Sequence, residues 1–309
     1  MPLRLLKSLK SVLRSRLSSR TTRVASAEDP NLVHTRYFND IIYDEELSSI
    51  YGFQVSLDAY LLSPSICNGS VIYLHGGGLS TGSKKAIHGM NKFFNSLGYN
   101  FLSCNYPLAS IGNDTSINIQ MSCLASIDHW AADTLPKLAE VSSDTPVIYL
   151  GHSAGSYLLS LGLSKDTYKS TGRSFILIDS AAYDLRRRHY AARPSVKSEI
   201  ERLIGYTSNS SDTSLEQLLL QYSPLDSLFS ASFPLNLDSN SWLYFASTSK
   251  RLSREGSIAI ASILRNKFHV NAKAKAYASS HSQILKDIGL PGTQIADDIT
   301  RLLIEHRNC

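Results

Sequence analysis

The sequence predicts an α/β protein in which helices cover both faces of a mostly parallel central sheet. Short apolar strands alternate with longer helical patterns from about residue 36 onward. Two of these strands, SVIYL and PVIYL, run directly into the glycine-containing turns HGGG and GHSAG. Hydrophobic residues make up 43% and charged residues 18% of 309 residues, which is typical of a globular chain with a sizeable core.

The elements follow in order along the chain. The segments 37–44 and 54–62 are predicted to open the sheet as an antiparallel edge. Further strands are expected at 70–74, 99–106, 146–150, 174–179, 242–247 and 272–278. Helices are expected at about 84–97, 116–140, from Ala154 onward, 253–267 and 293–307. The segment 185–238 has two helical patches with Ser-, Asn- and Pro-rich connections, which predicts a small inserted lid.

The net charge of +5 is concentrated at the N-terminus. Residues 1–27 hold seven of the 31 basic side chains and no acidic one, so the rest has 24 basic and 26 acidic residues. We therefore predict a basic N-terminal extension, 1–35, and one domain, 36–309. The domain is nearly neutral, which excludes the charge pattern typical of nucleic-acid-binding proteins.

Leucines recur at three- and four-residue intervals in the extension, which predicts an amphipathic helix. Such a helix at residues 1–20 is compatible with a mitochondrial presequence or with contact to a membrane surface. An extension that is unstructured or packs on the domain is the alternative. The four cysteines have no metal-ligand spacing and are expected to be free thiols of a reducing compartment. We expect a cytoplasmic protein, with a mitochondrial location as the alternative.

Gly151-His152-Ser153-Ala154-Gly155 matches G-x-S-x-G. The pattern is short, but a predicted strand precedes it and a predicted helix follows it, as the nucleophile turn of serine hydrolases requires. Glycines two residues on either side let strand and helix approach closely and leave the hydroxyl of Ser153 projecting. Ser153 is therefore the predicted nucleophile.

The glycine run His75-Gly76-Gly77-Gly78 follows the strand two places before the one that leads to Ser153. Backbone N–H groups placed there can stabilise negative charge on a carbonyl oxygen during acyl transfer. Gly77 and Gly78, together with the N–H of Ala154, are the predicted oxyanion donors. His281 lies just past the last predicted strand and is the histidine placed to act as general base.

These motifs resemble the α/β-hydrolase fold. HGGGLSTG, NYPLA, GHSAGS and the late histidine are similar to hormone-sensitive-lipase-type esterases and the related kynurenine-formamidase group. The likeness covers about residues 50–307. It implies hydrolysis of a small ester or amide through an acyl-enzyme, with no cofactor. The spacing of the cysteines and histidines predicts no metal site.

The resemblance fails at one position. The family acid usually follows the seventh strand, where this chain has Lys250 and no carboxylate from residue 247 to 254. Asp179, which ends the sixth predicted strand, is the first substitute, because some lipases of this fold place their acid there. Glu255, Asp184, a Ser–His dyad and the absence of a competent base are the alternatives.

We therefore predict a serine carboxylesterase that acts on short acyl esters, with a small-molecule ester or amide as its partner. An amidase such as an arylformamidase is the alternative within the same chemistry. An inactive hydrolase-like binding protein is the alternative outside it, and Lys250 is the feature that favours it.

Overall fold

The computed structural model describes residues 35–109, 115–168, 172–207, 214–232 and 234–307. These residues form an eight-stranded sheet in the order β1-β2-β4-β3-β5-β6-β7-β8. The strands are β1 Arg36–Ile42, β2 Ser56–Leu61, β3 Gly69–Leu74, β4 Tyr99–Cys104, β5 Val147–His152, β6 Arg173–Ile178, β7 Trp242–Thr248 and β8 Asn271–Tyr277. β2 is antiparallel to both of its neighbours, and the other pairs are parallel, which confirms the predicted mostly parallel sheet.

In the described residues, twelve α-helices lie between these strands or follow the last of them. They are α1 Glu45–Tyr51, α2 Met90–Ser96, α3 Ile117–Asp133, α4 Leu135–Ala139, α5 Ala154–Ser164, α6 Leu185–Tyr190, α7 Pro194–Leu203, α8 Leu215–Gln221, α9 Pro224–Ser230, α10 Arg251–Phe268, α11 Gln283–Ile288 and α12 Gln294–Glu305. Short 3-10 turns cover Gly52–Val55 and Pro64–Ile66.

The middle of the sheet is covered on both faces. Along β3, Ile72 and Leu74 belong to one apolar core, while the alternate residues Val71 and Tyr73 belong to a second core on the other face. Because successive side chains of a strand point to opposite faces, a strand covered by helices on both sides is apolar throughout. The parallel strands end at one edge, where the loops that follow them gather.

The helix predicted at 84–97 is shorter than expected and spans Met90–Ser96. Its first turn is lost because Lys84 is held elsewhere: its ammonium pairs with Asp58 at 2.6 Å and its N–H donates to Asn105 Oδ1 at 2.7 Å. His88 and Gly89 then take positive φ angles of 45° and 80°, which a right-handed helix does not accommodate. Ion pairing across the sheet thus outweighs the local helix pattern.

Three further differences from the predicted elements concern helices. The predicted stretch 116–140 is two helices that meet at Thr134, two residues before Pro136, which cannot donate a helical hydrogen bond. In its described residues, the predicted lid segment holds four short helices, α6 to α9, where two helical patches were expected. α11, just after His281, was not predicted, because six residues are too few for a clear periodicity.

The predicted amphipathic helix at residues 1–20, its membrane contact and its targeting role lie outside the described residues and stay predictions. The division at residue 35 stays a prediction as well. Within the described residues, no helix is long and apolar enough to cross a membrane.

Candidate active site

A cavity of about 560 Å³ lies at the carboxyl edge of the sheet. Loops after five strands reach its wall, through Gly78 after β3, Ser153 after β5, Asp179 after β6, Lys250 after β7 and His281 after β8. The lid helices α6 and α7 supply the facing wall with Leu185, Arg188, Val196, Glu199, Ile200 and Leu203. The cavity therefore brings together residues from distant parts of the chain.

Ser153 occupies the sharp turn between β5 and α5. Its backbone is at φ 53° and ψ −109°, a strained conformation for a residue with a side chain. Its N–H donates to the carbonyl oxygen of Ile178 at 2.8 Å, and its own carbonyl accepts from Tyr157 N–H at 3.0 Å. The strain is thus held by bonds to β6 and to the first turn of α5.

The glycines of the predicted motif leave no room for side chains. A Cβ on Gly155 would lie 2.1 Å from the carbonyl oxygen of Leu74, and one on Gly151 would lie 2.6 Å from the nitrogen of Ser156. These contacts place α5 directly against β3 and β5, as the spacing predicts.

The glycine loop after β3 lies beside this turn. Gly77 has φ 126°, and a Cβ there would lie 2.0 Å from the carbonyl oxygen of Thr81. The Gly77 carbonyl accepts from the N–H groups of Ser80 at 3.2 Å and Thr81 at 3.0 Å, which fixes the orientation of the next peptide. Gly78 and Ala154 line the cavity, whereas Gly77 is not among its lining residues. Ala154 is the first residue of α5, where an N–H has no acceptor within the helix.

Two buried aromatic rings support the glycine loop. Tyr106 stacks on His75 with ring centroids 4.6 Å apart, and its hydroxyl donates to the His75 carbonyl oxygen at 2.9 Å. His75 Nδ1–H donates to the Gly76 carbonyl oxygen at 2.6 Å. Burial lowers the pKa of His75, so this ring is a neutral structural support at pH 7.

His281 and Asp179 are in direct contact. His281 Nδ1 lies 2.7 Å from Asp179 Oδ2, which is the distance that the assignment of Asp179 as the acid requires. An ionised carboxylate accepts hydrogen bonds, so Nδ1 carries the proton and Nε2 is left as the acceptor. The His281 side chain is 40% exposed and lines the cavity together with Ser153.

Asp179 is held ionised by its donors. Only 1% of its side chain is exposed, and Oδ1 accepts from Thr248 N–H at 2.7 Å, from Thr248 Oγ1 at 3.0 Å and from the Ser253 hydroxyl. Burial raises the pKa of Asp179, but the hydrogen bonds from His281, Ser253 and Thr248 outweigh it and lower the pKa to about 2. Asp179 is therefore a buried carboxylate at neutral pH.

The rival acids lie elsewhere. Glu255 accepts from Arg187 at 2.7 Å and from Arg251 at 3.0 Å. Asp184 caps α6 by accepting from the N–H of Arg187 at 3.0 Å. Among the described contacts of His281, the carboxylate partner is Asp179, and neither Glu255 nor Asp184 contacts His281.

Lys250 is exposed and precedes α10. Thr248 and Ser253, on either side of it, are donors to Asp179. The segment in which the resemblance places an acid thus donates hydrogen bonds to Asp179, at the end of the neighbouring strand. The sequence reasoning missed both donors, because their partner lies 69 and 74 residues away along the chain.

His152 supports the base. Its ring lies 4.7 Å from the His281 ring, and Nε2 is 3.0 Å from the carbonyl oxygen of His281, to which it donates. Burial, followed by repulsion from His281, lowers the pKa of His152 to about 4. His152 is neutral at pH 7 and holds the His281 loop in place.

Within the described residues, no group of three His, Cys, Asp or Glu side chains could hold a metal ion. The arrangement around the cavity can instead support acyl transfer, since it combines a strained serine, a base held by a carboxylate, and backbone N–H groups.

No family model matches the chain, and a search of curated proteins finds no match. Solved structures do match. Esterase B from Lactobacillus rhamnosis, in an inhibited form, is 16% identical at a TM-score of 0.66, with 99% of this chain and 95% of that chain covered. An esterase from Pyrobaculum calidifontis is 17% identical at a TM-score of 0.60, covering 100% and 93%. Esterase 2 from Thermogutta terrifontis, phosphoramylated by tabun, is 13% identical at a TM-score of 0.57, covering 90% and 94%.

At these identities the likeness concerns the fold. The narrower resemblance to the hormone-sensitive-lipase type stays a prediction. The strand order, the single antiparallel strand β2 and the esterase neighbours agree with one another, and together they show that this chain has the α/β-hydrolase fold.

Proposed function

We propose that the protein is a serine carboxylesterase that hydrolyses short acyl esters through an acyl-enzyme. The observation that carries this proposal is the contact of Asp179 with His281 in the cavity that Ser153 lines. An orienting acid, a base with its second nitrogen available and a serine on a strained turn are the parts that acyl transfer requires.

In the proposed reaction, Ser153 Oγ attacks the acyl carbon while His281 Nε2 takes the hydroxyl proton. The carbonyl oxygen gains the electron pair, and the N–H groups of Gly77, Gly78 and Ala154 stabilise its charge. The tetrahedral intermediate then collapses and expels the alcohol, which takes the proton from His281. Water attacks the acyl-serine in the same way, with His281 as base, and releases the carboxylic acid and free Ser153.

Asp179 holds His281 in the tautomer with the proton on Nδ1 and stabilises the imidazolium that forms. Its low pKa favours this role, because the carboxylate stays charged at neutral pH.

The cavity wall supports a short apolar acyl or alcohol group. The residues that give it an apolar lining include Ile117, Tyr157, Leu185, Ile200 and Leu203. Its volume of about 560 Å³ lies within the range of small-molecule sites in proteins. The neighbours in the comparison include esterases inhibited by a phosphonate and by tabun, which supports the same chemistry here.

The experiment is hydrolysis of p-nitrophenyl acetate and butyrate by the purified chain beside Ser153→Ala. We expect turnover that falls at least 10³-fold in the variant, leaving what binding and the oxyanion donors alone supply. Equal turnover by the two proteins would overturn the proposal. N-formyl anilides in the same assay test the amidase alternative.

A further inference from the structure

Three consecutive arginines on the lid helix α6 have different surroundings. Arg186 donates to Glu216 at 3.2 Å and to Asp226 at 3.1 Å, and Arg187 donates to Glu255 at 2.7 Å. Arg188 is half-buried and lines the cavity, and no carboxylate of the described residues lies within ion-pair distance of it. One arginine of the three thus faces the cavity with its charge uncompensated.

Lys250, in the loop after β7, lines the same cavity. Its backbone N–H is bonded to Thr248 Oγ1 at 3.3 Å, whereas its ammonium has no carboxylate within ion-pair distance in the part of the chain that the structure describes. Lys250 therefore adds a second unpaired positive charge to the cavity wall.

The other charged side chains that line the cavity have hydrogen-bond partners within the protein. Asp179 is bonded to His281, Arg251 donates to Glu255 at 3.0 Å, and Glu199 accepts from the hydroxyl of Ser80 in the glycine loop. The lining residues hold three cations against two carboxylates, Asp179 and Glu199. Arg188 and Lys250 are the two of these cations that pair with no carboxylate of the described residues. A guanidinium in a partly apolar wall binds a carboxylate by two parallel hydrogen bonds.

We propose that this cavity selects esters that carry a carboxylate on their acyl or alcohol part, with Arg188 and Lys250 as its counter-charges. The inference rests on the proposed esterase function, since it names the substrate class of the same site. The apolar wall then contacts the chain between the ester and the carboxylate, and the two cations hold its far end.

Binding to the Ser153→Ala protein tests this without turnover. Isothermal titration would compare monoethyl adipate, which is an anion at pH 7.5, with ethyl hexanoate, a neutral ester of similar length. We expect the anion to bind about tenfold more tightly, equivalent to about 1.4 kcal/mol. The preference should shrink as sodium chloride rises, because the cations are partly exposed to solvent.

Arg188→Gln in the Ser153→Ala background should remove this preference. Arg187→Gln is the matched control. It also removes one positive charge from α6, but the side chain of Arg187 pairs with Glu255 and does not line the cavity. Lys250→Gln removes the second cation of the cavity independently of Arg188. It should lower the preference for the anionic ester, and it keeps the test possible if Arg188→Gln does not yield folded protein. Melting temperatures report whether each variant is folded.

The same comparison applies to turnover. For the protein with Ser153 intact, the ratio of kcat/KM for monoethyl adipate to that for ethyl hexanoate should fall about tenfold in Arg188→Gln and stay the same in Arg187→Gln. Hydrolysis of both esters with no preference for the anion would overturn this inference and leave the esterase proposal standing. Preferential binding of the anion with no hydrolysis would support the two cations and overturn the esterase proposal.

Discussion

Asp179→Asn preserves the size of the side chain and removes its charge, and we expect it to slow ester hydrolysis by about 10⁴ at pH 7. Three donor groups surround Oδ1 of Asp179: the N–H and hydroxyl of Thr248 and the hydroxyl of Ser253. The oxygen of an asparagine would therefore stay on that side, where it accepts these bonds.

The amide NH₂ of the asparagine would then face His281 Nδ1, which lies 2.7 Å from Oδ2 in the native chain. To accept from this NH₂, Nδ1 must lose its proton, and the proton moves to Nε2. His281 would then present a donor to Ser153 instead of an acceptor. A loss of 10⁴ corresponds to about 5.4 kcal/mol of transition-state stabilisation.

The assay is kcat/KM for p-nitrophenyl butyrate, with circular dichroism melting to show that the variant is folded. Glu255→Gln and Asp184→Asn are the matched controls, because each removes a carboxylate near the cavity that is bonded to groups other than His281. Both should stay within about threefold of the native rate. If folded Asp179→Asn retains more than a tenth of native activity, the assignment of the acid is wrong.

Three further predictions follow from the same contacts. Because the pKa of Asp179 is lowered to about 2, its ionisation contributes about 2 kcal/mol to the free energy of unfolding above pH 4. This contribution should disappear as the pH falls from 4 to 2, which acid unfolding would show as a step in stability. Asp179→Asn should lack that step. Ser253→Ala removes one donor, so the acid step should move to higher pH and kcat/KM should fall less than tenfold; an unchanged step would show that the bond contributes nothing. Gly155→Ala places a Cβ 2.1 Å from the carbonyl oxygen of Leu74 and should prevent stable folding. Gly78→Ala has open space around its Cβ and should lower the free energy of unfolding, measured by chemical denaturation, by only about 1 kcal/mol. Equal losses in the two variants would contradict the packing of α5 on β3.

The turn around Ser153 could be located from the sequence because its constraints are local. A buried strand, two glycines at fixed spacing and a helix all fall within about 20 residues, and the backbone contacts of Gly151 and Gly155 explain that spacing. The place of His281 followed from strand order, since loops after parallel strands gather at one edge of the sheet.

The carboxylate partner of His281 was harder to predict, because its contacts join distant segments. Asp179 meets His281 across 102 residues and Ser253 across 74 residues, and both contacts depend on β6, β7 and β8 lying side by side. No local sequence pattern shows which strands will lie side by side in the sheet. The three arginines of α6 are likewise indistinguishable in the sequence, and only the folded lid shows that Arg188 faces the cavity.

The predicted helix boundaries were wrong where long-range contacts outweighed local helix propensity. The ion pair of Lys84 with Asp58 is buried, and it replaces the first turn of a helix that the residue pattern favours. Periodicity predicts which residues can form a helix, whereas the pairing of a buried charge determines where the helix begins.

The central claim is that Ser153 forms a covalent intermediate. Incubation of the protein with a fluorophosphonate ester, followed by mass spectrometry of the intact chain and its peptides, tests this directly. We predict one phosphonyl group per chain, attached to Ser153, with labelling absent in Ser153→Ala and slowed at least 100-fold in His281→Ala. An unlabelled protein, or a label on another residue, would contradict the account.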